Sequence, residues 1–172
     1  WNRPKDEVDA LMKYLIHYLK SETPDLNKHN VRLDAIGQIY RLPENVQEQL
    51  KKSIATLAKN NGLTLVLALS YGGRNEIVEA VRGIAEKVRR RQLEPSDITE
   101  QTVSQHLWTR HLPDPDLLIR TSGEMRVSNF LLWQISYAEF VITPTLWPDF
   151  RKPQLYAALE EYAKRHRRFG GV

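Results

Sequence analysis

The run at residues 63–69, LTLVLAL, constrains this chain more than any other stretch: only Thr64 brings a polar side chain into it. It is far short of the roughly 20 apolar residues that cross a bilayer. Gly62 and Ser70 bound it, so it reads as a strand covered on both faces, the kind found inside a parallel sheet. Three more short runs read as strands, at residues 31–36, 117–119 and 140–142. Between them the apolar spacing changes to the helical period. Residues 4–22 put Val8, Leu11, Met12, Leu15, Tyr18 and Leu19 on one face, with Asn2 as the expected cap. Residues 43–60 do the same with Val46, Leu50, Ile54 and Leu57, and residues 74–92 with Ile77, Val78, Val81, Ile84, Ala85 and Val88. Thr99 caps a shorter helix, Ser128 opens one over residues 129–136, and the last helix covers residues 154–168. This alternation predicts an α/β fold, a largely parallel central sheet surrounded by helices, in a single domain over residues 1–172.

Composition removes several classes of chemistry. The 172 residues contain no cysteine, which excludes disulfide scaffolds, thiolate metal sites and cysteine nucleophiles. The five histidines show no zinc spacing, and the phosphate-loop, dinucleotide and nucleophile-elbow motifs are absent. The opening residues carry no charged-then-apolar leader. Trp1 falls directly on a helix entrance, as in a piece of something longer. Net charge is only +4, and either of two clusters equals all of it. Lys87, Arg89, Arg90 and Arg91 form the first; Lys164, Arg165, Arg167 and Arg168 form the second. Both end apolar-periodic runs, where the helix dipole favours cations. No basic face or module points to a nucleic acid.

The turn after the third strand is the richest in chemistry. Arg120 closes that strand, Gly123 permits a left-handed turn, and Arg126 and Ser128 follow within a few residues. Two guanidiniums beside a helix start would suit a phosphate or diphosphate. The same residues allow a second reading, with Arg120 paired to Glu124 or Asp116 and Ser128 acting as a cap only. Glu139 enters an apolar strand, where a carboxylate needs a partner: an arginine or an oxygen-seeking divalent cation. Trp133 reads as core and residues 147–150, WPDF, as a packed turn. The leucines of residues 63–69 serve equally as core or as the wall of an apolar tunnel.

Residues 120–139, RTSGEMRVSNFLLWQISYAE, resemble the signature region of the cis-prenyltransferases, in particular the undecaprenyl diphosphate synthases. WNRPKDEV at the start, SYGGR at residues 70–74, LWPDF at 146–150 and RRFGG at 167–171 resemble the same family, in order along the whole chain. The resemblance implies a magnesium-dependent homodimer with helices around a parallel sheet and an apolar tunnel. It also implies repeated cis-condensation of isopentenyl diphosphate onto an allylic diphosphate such as farnesyl diphosphate. The long polyprenyl product, undecaprenyl diphosphate, would serve as a lipid carrier for cell-wall (peptidoglycan) sugars. Such an enzyme is expected in the cytoplasm, in peripheral contact with the inner face of the membrane.

Residue by residue, the resemblance assigns isopentenyl diphosphate binding to Arg120, Arg126, Val127 and Ser128, and magnesium to Glu139, with a contact across the dimer. It places Trp1, Arg3 and Glu7 at the end of a substrate-organising loop. Arg168 and Gly170 fall in an Arg-x-Gly element associated with the partner subunit's site. The family's Asp-Gly-Asn-Gly-Arg-Trp segment and a catalytic asparagine lie ahead of the position of Trp1. No catalytic residue is therefore expected within these residues, and the chain alone is expected to be inactive. Ser70 and Met125 depart from the usual pattern. The competing expectation is a non-catalytic partner subunit of such an enzyme.

Overall fold

The computed structural model describes residues 4–165. Internal contacts divide the chain into two compact units, Trp1–Tyr71 and Gly72–Val172.

The first unit is built from α1 (Lys5–Lys28), β1 (Arg32–Ile36), α2 (Glu44–Leu57) and β2 (Thr64–Ala68). Strands β1 and β2 pair in parallel, from Arg32 opposite Thr64 to Ile36 opposite Ala68, so β1–α2–β2 is a crossover unit with its helix as the return. Helix α2 buries Val46, Leu50, Ser53 and Leu57. Leu19, Leu33, Leu50 and Leu57 form the centre of the core, with Leu15, Leu26, Ile54 and Leu67 against it. Helix α1 continues past the expected end at Glu22 and through Pro24. Proline costs an interior helix its hydrogen bond. The turn before it is tied down, since the Thr23 and Ser53 hydroxyls both donate to Leu19 O, at 2.5 and 3.2 Å, and the turn after it places Leu26 on the core.

The second unit contains α3 (Gly73–Arg89), α4 (Glu100–Ser104), β3 (Leu117–Arg120), β4 (Glu139–Ile142) and α5 (Lys152–Ala163). Thr99 caps α4 as expected, with its side chain and that of Thr102 bonding each other's backbone N–H groups. The first basic cluster is a helix end: Arg89 and Arg90 both reach Glu86, at 2.7 and 2.6 Å. Those bonds, Arg89 first, hold the Glu86 carboxyl below its ordinary pKa.

The expected α/β fold with parallel strands and helices is present: the described strands form two parallel pairs, β1–β2 in the first unit and β3–β4 in the second. Three other expectations change. Strand β2 is not covered on both faces, since Leu65 is exposed along with neighbouring Leu63. Helix α3 buries Gly73, Glu76, Ala80 and Ile84 and leaves Val78 and Val81 exposed, so its buried stripe is offset from its most apolar one. Finally, residues 129–136 are turns and not a helix. Ser128, Asn129 and Leu131 all have positive φ, at 48°, 61° and 46°, which no right-handed helix accommodates.

Leu57 is fully buried and Leu63 is 71% exposed. Leu57→Ala is expected to cost about 2–5 kcal/mol in urea unfolding, and Leu63→Ala less than about 0.5 kcal/mol. Equal losses would show that the core is misplaced.

Candidate functional site: an arginine-lined cavity at the end of β3

Strands β3 and β4 are parallel, with Leu117 opposite Glu139 and Arg120 opposite Ile142. The chain must therefore return along the pair between residues 121 and 138, and it does so without a helix. A long irregular crossover exposes backbone that a helix would satisfy internally, so its ends need other anchors. At its start the N–H of Ser122 donates to Thr145 O and that of Gly123 to Thr143 O, both at 2.9 Å. Ser122 and Gly123 are left-handed, with φ of 65° and 66°. A Cβ at Gly123 would touch nothing within 4 Å, so glycine is needed there for its conformation and not for space.

This start of the crossover encloses a cavity of about 390 Å³. Its polar rim is Arg120, Thr121, Ser122, Glu124 and Arg126; Leu118, Ile119, Val127, Phe130 and Trp147 supply apolar wall. Trp147, in the short 3₁₀ turn Trp147–Asp149, is 71% exposed and stacks on Phe150 with centroids 5.8 Å apart. It is therefore a cavity wall and not buried packing. Among the described residues the half-buried Arg120 side chain has no ion pair, contrary to the reading that paired it with Glu124 or Asp116. Glu124 pairs with Arg126 instead. Two guanidiniums and apolar walls in one cavity suit an anionic head on a hydrocarbon. Because residues 129–136 are not helical, the cavity offers side chains and turn N–H groups, with no helix dipole from that segment.

Of the residues expected to bind substrate, Arg120, Arg126 and Val127 line this cavity. Ser128 is next along the chain and exposed, in the left-handed turn. Glu7 is in the first turn of α1, in the other unit. Trp1, Arg3, Arg168 and Gly170 lie outside the described residues.

Glu139 begins β4, three register steps from the Arg120–Ile142 pair, or about 10 Å along the strands. Its Oε2 accepts a 2.8 Å bond from Arg165, which also pairs with Glu161. Glu139 first, then Glu161, raise the Arg165 pKa above its ordinary value. Among the described residues no three His, Cys, Asp or Glu side chains are grouped to hold a metal. Within this chain the Glu139 carboxylate is already held by Arg165, and magnesium, which takes one or two carboxylates together with substrate phosphates, would have to replace that contact. Within one described chain, Glu139 is part of an ion pair.

Sequence reasoning missed a buried polar network beside α3. Glu76, 1% exposed, accepts bonds from Trp108 N at 2.9 Å and from Gln134 Nε2 at 3.0 Å; Gln134 Nε2 also lies 2.7 Å from Thr109 Oγ1. The available signal was phase: Glu76, Ala80 and Ile84 follow one another at i+4 spacing, a stripe a charged residue enters only with partners.

Parallel strand pairs, one joined by a helix and the other by an irregular crossover beside an arginine-lined cavity, give an α/β fold. Residues 1–170 match the prenyltransferase family model described as undecaprenyl diphosphate synthase, and the chain belongs to that family. It is 54% identical over 170 residues to an isoprenyl transferase of Porphyromonas gingivalis, covering 99% of this chain and 67% of the relative. It is 50% identical over 172 residues to the farnesyl-diphosphate-specific ditrans,polycis-undecaprenyl-diphosphate synthase of Escherichia coli K12, covering 100% and 68%. The crystal structure of lavandulyl diphosphate synthase from Lavandula x intermedia, in complex with dimethylallyl diphosphate, superposes with a TM-score of 0.96 at 44% identity, covering 98% of this chain and 73% of that one. The chain thus spans about two thirds to three quarters of the length of these relatives.

Gly123→Ala is expected to lower stability by about 1–2 kcal/mol, because a Cβ strains the left-handed turn while meeting no neighbour. Gly123→Asn should recover part of the loss. Urea unfolding of both variants checks this; an unaffected Gly123→Ala protein would remove the conformational argument.

Proposed function

We propose that the protein elongates an allylic diphosphate by cis-condensation with isopentenyl diphosphate, as in making undecaprenyl diphosphate for cell-wall carrier lipid. The carrying observation is the cavity that brings Arg120, which has no ion pair among the described residues, and the Arg126–Glu124 pair to the start of the crossover. Its size and mixed lining suit a five-carbon unit on a diphosphate.

In this reading Arg120 and Arg126 hold the isopentenyl diphosphate head as planar forks, and Ser128, next after Val127 in the chain, is assigned to the same head. Leu118, Ile119, Phe130 and Trp147 face its carbon chain, exclude water and align the double bond, which lowers the entropic part of the barrier. The double bond attacks C1 of the allylic partner as the C1–O bond breaks, and the diphosphate leaves with the electron pair. A proton lost from the isopentenyl unit restores a double bond. Positive groups around the leaving diphosphate stabilise its developing charge.

Magnesium is proposed as the cofactor, supplying charge neutralisation on diphosphate oxygens. Within one chain Glu139 is held by Arg165, and it is proposed to act in a site completed by a second chain, hence a homodimer. The cytoplasm is proposed as the location, with peripheral membrane contact because the product is a long hydrocarbon. No helix among the described residues is long and apolar enough to cross a membrane.

The tests use the full-length gene product. Arg126→Ala is expected to raise the KM for isopentenyl diphosphate by about tenfold or more, consistent with loss of a charge-assisted contact, and the KM for the allylic substrate much less. Equal changes would remove the assignment. Isopentenyl diphosphate binding without turnover, in the presence of an allylic substrate, would favour the non-catalytic subunit. Glu139→Ala is expected to shift the magnesium titration of activity to higher concentration. An unchanged titration would leave Glu139 as the partner of Arg165 only.

A further inference from the structure

Helix α3 starts at Gly73 with no side-chain cap of its own, so its first N–H groups need acceptors from elsewhere. Asn129, 55 residues further along the chain, supplies two. Its main-chain O accepts the Gly73 N–H at 2.7 Å and its Oδ1 accepts the Arg74 N–H at 2.8 Å. The approach is close on both sides of the helix start. A Cβ on Gly72 would sit 2.8 Å from Asn129 Nδ2, and one on Gly73 would sit 2.9 Å from Leu132 Cγ and 3.1 Å from Leu132 N. Five residues beyond Asn129, Gln134 is bonded to the buried Glu76 one turn into the same helix. The crossover is therefore fastened twice to the first turn of α3.

What these fastenings hold is a strained conformation. Ser128, Asn129 and Leu131 are left-handed, which a serine or leucine adopts only where the surroundings impose it. Arg126, Val127 and Phe130, immediately on either side of the first fastening, line the arginine cavity. Asn129 itself does not line it.

We propose that Asn129 is a positioning residue for the arginine cavity: by capping α3 it holds the left-handed turn that presents Arg126 and Val127 to the diphosphate. Gly72 leaves room for the Asn129 side chain, and Gly73 leaves room for Leu132. The proposal rests on the prenyltransferase reading for the identity of the ligand. It goes beyond that reading in assigning a role to a residue that need not touch substrate.

The full-length protein and its Asn129→Ala, Asn129→Asp and Gly72→Ala variants test it, by calorimetric Kd for isopentenyl diphosphate and for inorganic diphosphate, and by KM for each substrate. Asn129→Ala is expected to weaken isopentenyl diphosphate binding by about tenfold, equivalent to about 1.4 kcal/mol, with the allylic KM within about twofold. Asn129→Asp keeps an acceptor for Arg74 N–H and tolerates the left-handed region, so it is expected to restore most of the affinity. Gly72→Ala displaces the Asn129 side chain from the other side and should weaken the same ligand. If Asn129→Ala does not fold, the Gly72→Ala and Asn129→Asp pair gives the same comparison. A folded Asn129→Ala protein with unchanged isopentenyl diphosphate affinity, or with both substrates weakened equally, overturns the proposal while leaving the functional reading intact. A parent protein that binds neither isopentenyl diphosphate nor inorganic diphosphate overturns both.

Discussion

Parallel pairing of β3 with β4 is the constraint from which the site follows. Two parallel neighbours cannot be joined by a tight turn, so the chain must run back the length of the pair before β4 begins. Between β1 and β2 that return is the helix α2, which satisfies its own backbone and buries one face on the core. Between β3 and β4 it is a series of turns, with five left-handed residues from Ser122 to Leu131. A return of this kind has no internal ladder, so its backbone groups must find partners on Thr143, Thr145 and the first turn of α3. Those outside contacts allow it to wrap a cavity, where a helix would have presented only its surface.

The helical elements of the first unit are legible from apolar spacing alone, because Leu15, Leu19, Leu50 and Leu57 both repeat at helical intervals and are the residues that pack. The same reasoning fails at residues 129–136. NFLLWQIS has the composition of a buried helix, yet its backbone is decided by Asn129 bonding to Gly73 and Arg74, a partnership from 55 residues away that local propensity does not contain. It fails again on α3, where the buried stripe runs through Gly73, Glu76 and Ala80. Close approach and a polar network select those positions, and hydrophobicity does not mark them. That Arg120 and Arg126 would stand near one another was legible from their spacing, and both line one cavity. That Glu124 would pair with Arg126, and that Trp147 would form part of the wall, depended on how the crossover folds.

Glu139 shows the difference between a residue's chemistry and its place. A carboxylate at the head of an apolar strand predicts a cationic partner, and the partner in this chain is Arg165 from just beyond α5. Both side chains are partly open to water, so the pair is an accessible electrostatic contact and not a sealed one. A second acid, Glu161, shares the same guanidinium, leaving Glu139 with a contact that another cation could replace without exposing an uncompensated buried charge.

The Glu124–Arg126 pair at the mouth of the cavity has a consequence for discrimination among anions. Any anion that reaches Arg126 there also meets the Glu124 carboxylate, whose like charge repels it. A ligand with charge on two linked phosphoryl groups can engage Arg126 with one and Arg120, which has no ion pair among the described residues, with the other. The internal acid thus disfavours an anion that touches Arg126 alone, and favours one long enough to reach both guanidiniums.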